Sequence, residues 1–169
     1  MIRGIAINII IIGFVIIVSA WKPNNNITVN NKQDEELVKL DTSELLYKVA
    51  KYLNIPIIMT RFAQDIYSHK EKLVLGQAGI KGTRYCKEIM NSSDLVISLG
   101  SRLAPQFVGH DFDVFKNSYL VSVDIEKDEL IKKGCKINLP INADLRFFLP
   151  IFYKIINKKK FNNFSKWSS

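Results

Sequence analysis

The sequence has 169 residues, 24 of them basic and 16 acidic, for a net charge of +8, and 47% are hydrophobic. That is one domain's worth of chain with enough apolar material for a core, and it excludes disordered, collagenous and mucin-like classes. Two cysteines, Cys86 and Cys135, and two histidines, His69 and His110, exclude a disulfide framework and a multi-histidine relay. They also leave a structural zinc site short of ligands. Such usage suits a reducing compartment, so the expected location is cytoplasmic.

Residues 4–20, GIAINIIIIGFVIIVSA, form one apolar run behind Arg3. Two readings stand side by side. The β-branched content around Asn8–Gly13 suits a fully buried parallel strand that delivers Gly13 at its carboxyl end. As a helix the run would span roughly 25 Å, and Val18-Ser19-Ala20 resembles the end of a signal peptide, so the alternative is a membrane or export segment. From Lys22 to Asp41 the chain is polar, Asn-rich and then acidic, which reads as a loop. Residues 1–41 are therefore taken as an N-terminal apolar segment plus a polar insertion.

Asp41-Thr42-Ser43-Glu44 predicts a helix start, and Leu45, Leu46, Val49, Ala50 and Leu53 recur on one face of a helix that Asn54 ends. Ile55 to Met59 predicts a short strand, with Thr60 beginning a loop. Gly76, Gly79 and Gly82 lie at three-residue intervals before a predicted helix from Thr83 to Met90. Residues 95–100, LVISLG, predict a buried strand ending in Gly100, and 119–125, YLVSVDI, another with Asp124 near its end. Glu126 to Lys133 reads as a short helix, Lys136 to Ile141 as a short strand, and Asp144 to Ile156 as a closing amphipathic helix. Alternating strands and helices predict an α/β fold, a parallel sheet with helices on both faces, over residues 42–156.

The positive charge is concentrated late in the chain. From Leu145 to Ser169 there is no acidic residue, while Arg146, Lys154, Lys158, Lys159, Lys160 and Lys166 are basic. Phe161 and Phe164 interleave with the lysines, a pattern that can stack on nucleic acid. Lysine at a helix C-terminus is favoured by the helix dipole alone, so residues 157–169 are read as a basic linker and no nucleic-acid partner is expected.

In an open parallel sheet, ligands sit beyond the carboxyl ends of the strands. Those ends are predicted to carry Gly13, Thr60, Gly100-Ser101-Arg102 and Asp124, with Gly76 and Gly79 beside them. Glycines let backbone approach a phosphate, and a strand-end acid can accept from ribose hydroxyls. Each residue also has a plainer use: the glycines as turn residues, Arg102 paired with Asp94 or Asp111, and Asp124 capping the helix after Glu126. Cys86 falls within a helix, with no adjacent histidine to form its thiolate. There is no Gly-x-Gly-x-x-Gly after the first strand, no Walker lysine loop and no catalytic dyad, so no catalytic and no metal-binding residue is assigned.

The stretch from Asn54 to Leu149 resembles the central domain of the thiamine diphosphate-dependent enzymes of the acetolactate synthase group. The carrying residues are Asn54 to Ile58 with Thr60, the array Leu75 to Gly82, Ser93 to Leu103, Val123 to Glu126, and Ile141 to Leu145. The resemblance implies a six-stranded parallel sheet of the NAD- and FAD-binding type. It also implies that the domain holds FAD or an ADP-like group in some relatives and only braces the active site in others. Three departures stand out: Gly13-Phe14-Val15 replaces a glycine-x-glycine, Ala63 stands where a glycine is common, and residues 15–39 are long for the family.

The resemblance implies further parts that this sequence does not contain. One is a pyrimidine-binding domain whose glutamate activates the thiazolium. Another is a diphosphate-binding domain whose Gly-Asp-Gly motif holds magnesium. The expectation is therefore a fragment, split-gene product or relic of a 2-oxo acid decarboxylase or carboligase, inactive alone. Thiamine diphosphate and Mg²⁺ would serve the intact enzyme and not this chain, and the partners would be the missing domains or an oligomer of the intact enzyme. The competing reading is a membrane-anchored nucleotide-binding module. Electron transfer or NAD-dependent deacylation on the same sheet type is weaker, because zinc cysteines and a catalytic histidine are lacking.

Overall fold

The computed structural model describes residues 14–18, 41–68, 70–109 and 113–159. The strands are β1 (Phe14–Val18), β2 (Ile57–Met59), β3 (Val74–Gln77), β4 (Leu95–Leu99), β5 (Tyr119–Asp124) and β6 (Leu139–Asn142). Every pairing is parallel. β2 pairs with β3, and β4, β5 and β6 form a second array. β1 lies between them, matching Ile16 to Ile57 on one side and to Ile97 on the other. The resulting order is β3-β2-β1-β4-β5-β6.

The helices are α1 (Thr42–Leu53), α2 (Arg84–Ser92), α3 (Pro105–Val108), α4 (Lys127–Leu130) and α5 (Leu145–Lys159). Successive strand residues point to opposite faces, which explains why the strands read as continuous apolar runs. Ile57, Met59, Ile97, Leu99 and Val123 are buried with Leu45, Val49 and Leu53 of α1 and Leu145, Leu149 and Ile156 of α5. Ile58, Val96 and Leu120 are buried on the other face with Cys86 and Met90 of α2, Val108 of α3, and Leu103. Covering both faces is the general solution for parallel sheets, and the α/β class expected from the sequence holds.

Local chemistry sets the helix ends. Asp41 accepts from the Ser43 N–H at 3.2 Å at the start of α1, and Asn54 ends it in a left-handed conformation, φ +53°. Asn tolerates that region better than most residues. At the start of α5 the Asp144 carboxylate accepts from the Arg146 N–H at 2.8 Å and from the Arg146 guanidinium at 2.6–3.1 Å. Burial would push the Asp144 carboxyl up, but the Arg146 side-chain and backbone hydrogen bonds outweigh it and hold the group below its ordinary value. A depressed folded value contributes stability that is present above the unfolded carboxylate value, about 3.9, and is lost as pH falls through the folded one. Asp144→Asn should therefore lower the melting temperature at pH 7 by about 2–4 °C. The gap to wild type should close below about pH 4, and melts recorded from pH 7 to pH 3 check this. A gap that is constant with pH would refute the assignment.

Several expectations need correction. The strand expected at Asn8–Gly13 lies outside the described residues, and the strand that enters the sheet, Phe14–Val18, comes later in the same run. An unbroken apolar run has no alternation to fix where a strand begins. Residues 14–18 lie in a strand of the sheet, which does not support the membrane-helix reading of residues 4–20. Among the described residues no helix is long and apolar enough to cross a membrane. β2 starts at Ile57 rather than Ile55, β6 runs Leu139–Asn142 rather than 136–141, and α5 continues to Lys159. β3 was not anticipated, since its Gly76 reads as part of a turn array.

Candidate functional site

The parallel strands bring the carboxyl ends of β2, β3 and β4 to one edge. After β2 come Thr60 and a 3-10 turn, Arg61–Ala63. After β3 comes the glycine loop, and after β4 comes Gly100-Ser101-Arg102-Leu103. Between them lies a cleft of about 340 Å³. Its first wall is Thr60, Arg61 and Phe62, its second runs from Gln77 to Lys81, and its third runs from Ser101 to Ala104 and includes Gln106 and Phe107. Phe62 and Ile80 stand on it 73% and 80% exposed.

The glycine loop is shaped by steric demand. Gly79 has φ +115°, and a Cβ there would stand 3.0 Å from the Gln106 carbonyl oxygen. The neighbouring Ile80 N–H donates to that same oxygen at 3.0 Å, tying the loop to α3. At Gly82 a Cβ would meet the Gln77 carbonyl oxygen at 2.4 Å and the Ala78 backbone at 2.6 Å. Only glycine lets the chain fold back this closely. Beneath the loop, Thr83 Oγ1 donates to Cys86 Sγ at 2.9 Å. Burial pushes the Cys86 thiol up while the Thr83 hydroxyl works against it, and the rise prevails. Cys86 is thus a buried thiol of the core, with burial disfavouring its thiolate.

The third wall is rigid at its backbone. Leu103 is 1% exposed and holds φ +44°, a region that non-glycine residues rarely adopt. Its N–H donates to Ser101 Oγ at 3.4 Å, and Ser101 is itself buried. Arg102 projects from between these two anchors. Its Nε lies 3.7 Å from Glu129 Oε1 of α4, while Lys132 Nζ lies 3.0 Å from Glu129 Oε2. The partner among the described residues is therefore Glu129 and not Asp94, and Asp111 lies outside the described residues.

Of the residues singled out in the sequence, Thr60, Gly79, Ser101 and Arg102 line the cleft together. Gly76 and Gly100 do not line it. They have φ +114° and φ +58°, Gly76 within β3 and Gly100 just after β4. Asp124 is apart from the cleft. It is buried, and its Oδ1 accepts from the Glu126 N–H at 2.9 Å. The cap residue of α4 is Glu126, so Asp124 supports the turn before that helix rather than capping it. Gly13 lies outside the described residues, and the carboxyl end of β1 is Val18. His69 and His110 also lie outside them.

Sequence reasoning missed Arg61 and Lys81. Both carried a readable signal: Arg61 directly follows a strand-end threonine, and Lys81 is the cation inside the glycine array. With Arg102 they give the cleft three cations, and no carboxylate among the described residues lines it. Such a donor set suits an anion of the phosphate class. It does not suit Mg²⁺ on thiamine diphosphate, because magnesium takes oxygen ligands. Among the described residues no group of three or more His, Cys, Asp or Glu side chains could hold a metal ion. The ADP part of a flavin or adenine nucleotide fits the donors, with Arg61, Lys81 and Arg102 available to its phosphates.

Fold and cleft together define a doubly wound α/β domain with a cationic cleft at its strand ends. Residues 34–151 match the family described as thiamine pyrophosphate enzyme, central domain, and the chain belongs to that family. It is similar to the probable acetolactate synthase large subunit of Methanococcus aeolicus, 30% identical over 128 residues, which covers 73% of this chain and 21% of that protein. The acetolactate synthase large subunit of Corynebacterium glutamicum is 32% identical over 111 residues, covering 65% of this chain and 17% of its own length. That of Haemophilus influenzae is 25% identical over 122 residues, with 72% and 21% covered. The chain thus spans at most about a fifth of the length of these curated relatives.

Proposed function

We propose that this chain serves as the central domain of an acetolactate synthase-like, thiamine diphosphate-dependent 2-oxo acid decarboxylase or carboligase. In this reading residues 14–18 and 42–156 form the sheet domain that braces the active site, and residues 157–169 form the linker. The pyrimidine-binding and diphosphate-binding domains, or an oligomer of the intact enzyme, supply the chemistry in the cytoplasm. Thiamine diphosphate, when bound with Mg²⁺ between those domains, supplies the electron sink for 2-oxo acid cleavage. The contribution of this chain is scaffold plus the cleft, where Arg61, Lys81 and Arg102 hold the diphosphate of FAD or ADP and Thr60, Gly79 and Ser101 shape the pocket around it.

The observation that carries this reading is the cationic lining, carboxylate-free among the described residues, of a cleft placed at the strand ends of a family central domain. Two measurements on the purified 169-residue chain test it. Pyruvate with thiamine diphosphate and Mg²⁺ should release no CO₂, and calorimetric titration should give measurable heat with ADP or FAD. Thiamine-dependent CO₂ release would refute the scaffold role. A folded chain that takes up neither nucleotide would refute the nucleotide cleft and leave a bracing domain alone.

A further inference from the structure

We propose that Glu129 is a specificity residue of the cleft, a carboxylate that competes with the incoming anion for Arg102. The inference rests on the reading of the cleft as an anion site. Arg102 is anchored at its backbone by buried Ser101 and by Leu103 in its left-handed conformation, yet its side chain is 76% exposed. The guanidinium can therefore swing between α4 and the cleft while the backbone stays fixed.

Glu129 is built to release it. Its Oε2 is held by Lys132 at 3.0 Å with both side chains about a quarter exposed, whereas the Arg102 contact to Oε1 is the longer one at 3.7 Å. When Arg102 leaves, Lys132 still neutralises the carboxylate, so the exchange leaves no isolated charge. A monocarboxylate entering the cleft offers Arg102 one negative charge, the same as the group it displaces. A diphosphate offers more than one charge and has Arg61 and Lys81 to meet the rest. Competition from Glu129 thus weakens an anion that depends on Arg102 alone more than a diphosphate, which Arg61 and Lys81 can hold as well.

The test is calorimetric titration of inorganic pyrophosphate into the full chain and into the variants E129Q, R102Q and the double substitution. These surface changes should leave the circular dichroism spectrum unchanged. E129Q should bind about two- to fivefold tighter than wild type, the range of an exposed ion pair. The gain should vanish in the R102Q background, because it acts through Arg102. Equal gains in both backgrounds would reduce Glu129 to a distant charge and overturn the proposal, as would weaker binding by E129Q. If wild type binds and the cycle shows no coupling, this inference alone falls. If neither wild type nor E129Q binds pyrophosphate, the anion cleft falls with it.

Discussion

Gly82→Ala should cost the domain about 3 kcal/mol, the upper end of ordinary overpacking, and should abolish anion binding in the cleft. The three nearest atoms to the added methyl are all backbone, at 2.4, 2.6 and 2.7 Å on Gln77 and Ala78. No flexible side chain is there to give way, so the strand end itself must move. That strand end carries the Thr83 N–H to Gln77 carbonyl bond at 2.9 Å, which starts α2, and Ala78, whose N–H reaches Met59 at 3.1 Å. Displacing it loosens both the helix start and the cleft wall. Gly109→Ala is the contrasting case: φ +87° and ψ 164° hold it in a region almost reserved for glycine, and among the described residues nothing lies within 4 Å of its Cβ, so it should pay backbone strain of about 1–3 kcal/mol and leave anion binding intact. Urea unfolding together with pyrophosphate titration of both variants should separate them, and retained anion binding in Gly82→Ala would show that the loop yields to the methyl.

Much of the fold was legible where two local signals coincide. α1 has a cap at Asp41, one apolar face and a left-handed Asn54, and its observed span begins and ends where those signals put it. β4 and β5 are bounded by polar turns and were placed to within a residue. The strand expected at Asn8–Gly13 falls outside the described residues, and Phe14–Val18 went unseen as β1 because its run lacks periodicity and a glycine was expected at a strand end. β3 went unseen because it is a short edge strand, half-exposed in pattern, whose Gly76 carries a turn-like φ inside the strand.

The site was legible along the chain but not across it. Thr60, Gly79, Ser101 and Arg102 follow from the rule that ligands meet strand ends. The Arg102 partner did not follow: Glu129 lies one strand further along the chain and reaches Arg102 only because α4 follows β5, the strand paired with β4. Asp124 stands apart from the cleft lining. A strand-end acid suits a ribose, but here the turn into α4 uses its carboxylate first.

Removing residues 1–18 should abolish the fold, and Ile16→Pro should come close to doing so. β1 is paired along both edges, to β2 through Ile16, Ile17 and Val18 and to β4 along its whole length. Without it the sheet divides into a pair, β3-β2, and a trio, β4-β5-β6. An isolated pair is at best marginally stable in water. Ile57, Met59, Ile97 and Leu99, now within 6% exposure or less, would lose the strand that joins their two halves of the core. Proline at position 16 withdraws one ladder N–H and clashes in a strand bonded on both sides, where proline is not tolerated. Domains of this size have about 5–15 kcal/mol of stability in all, less than the loss of a central strand removes. Far-UV circular dichroism of the truncated chain should therefore show neither the native helix signal nor a cooperative melt. A membrane anchor would predict the reverse, a folded and more soluble remainder. A cooperative melt in the truncated chain would mean that the sheet closes without β1 and that the apolar run serves some purpose other than the core.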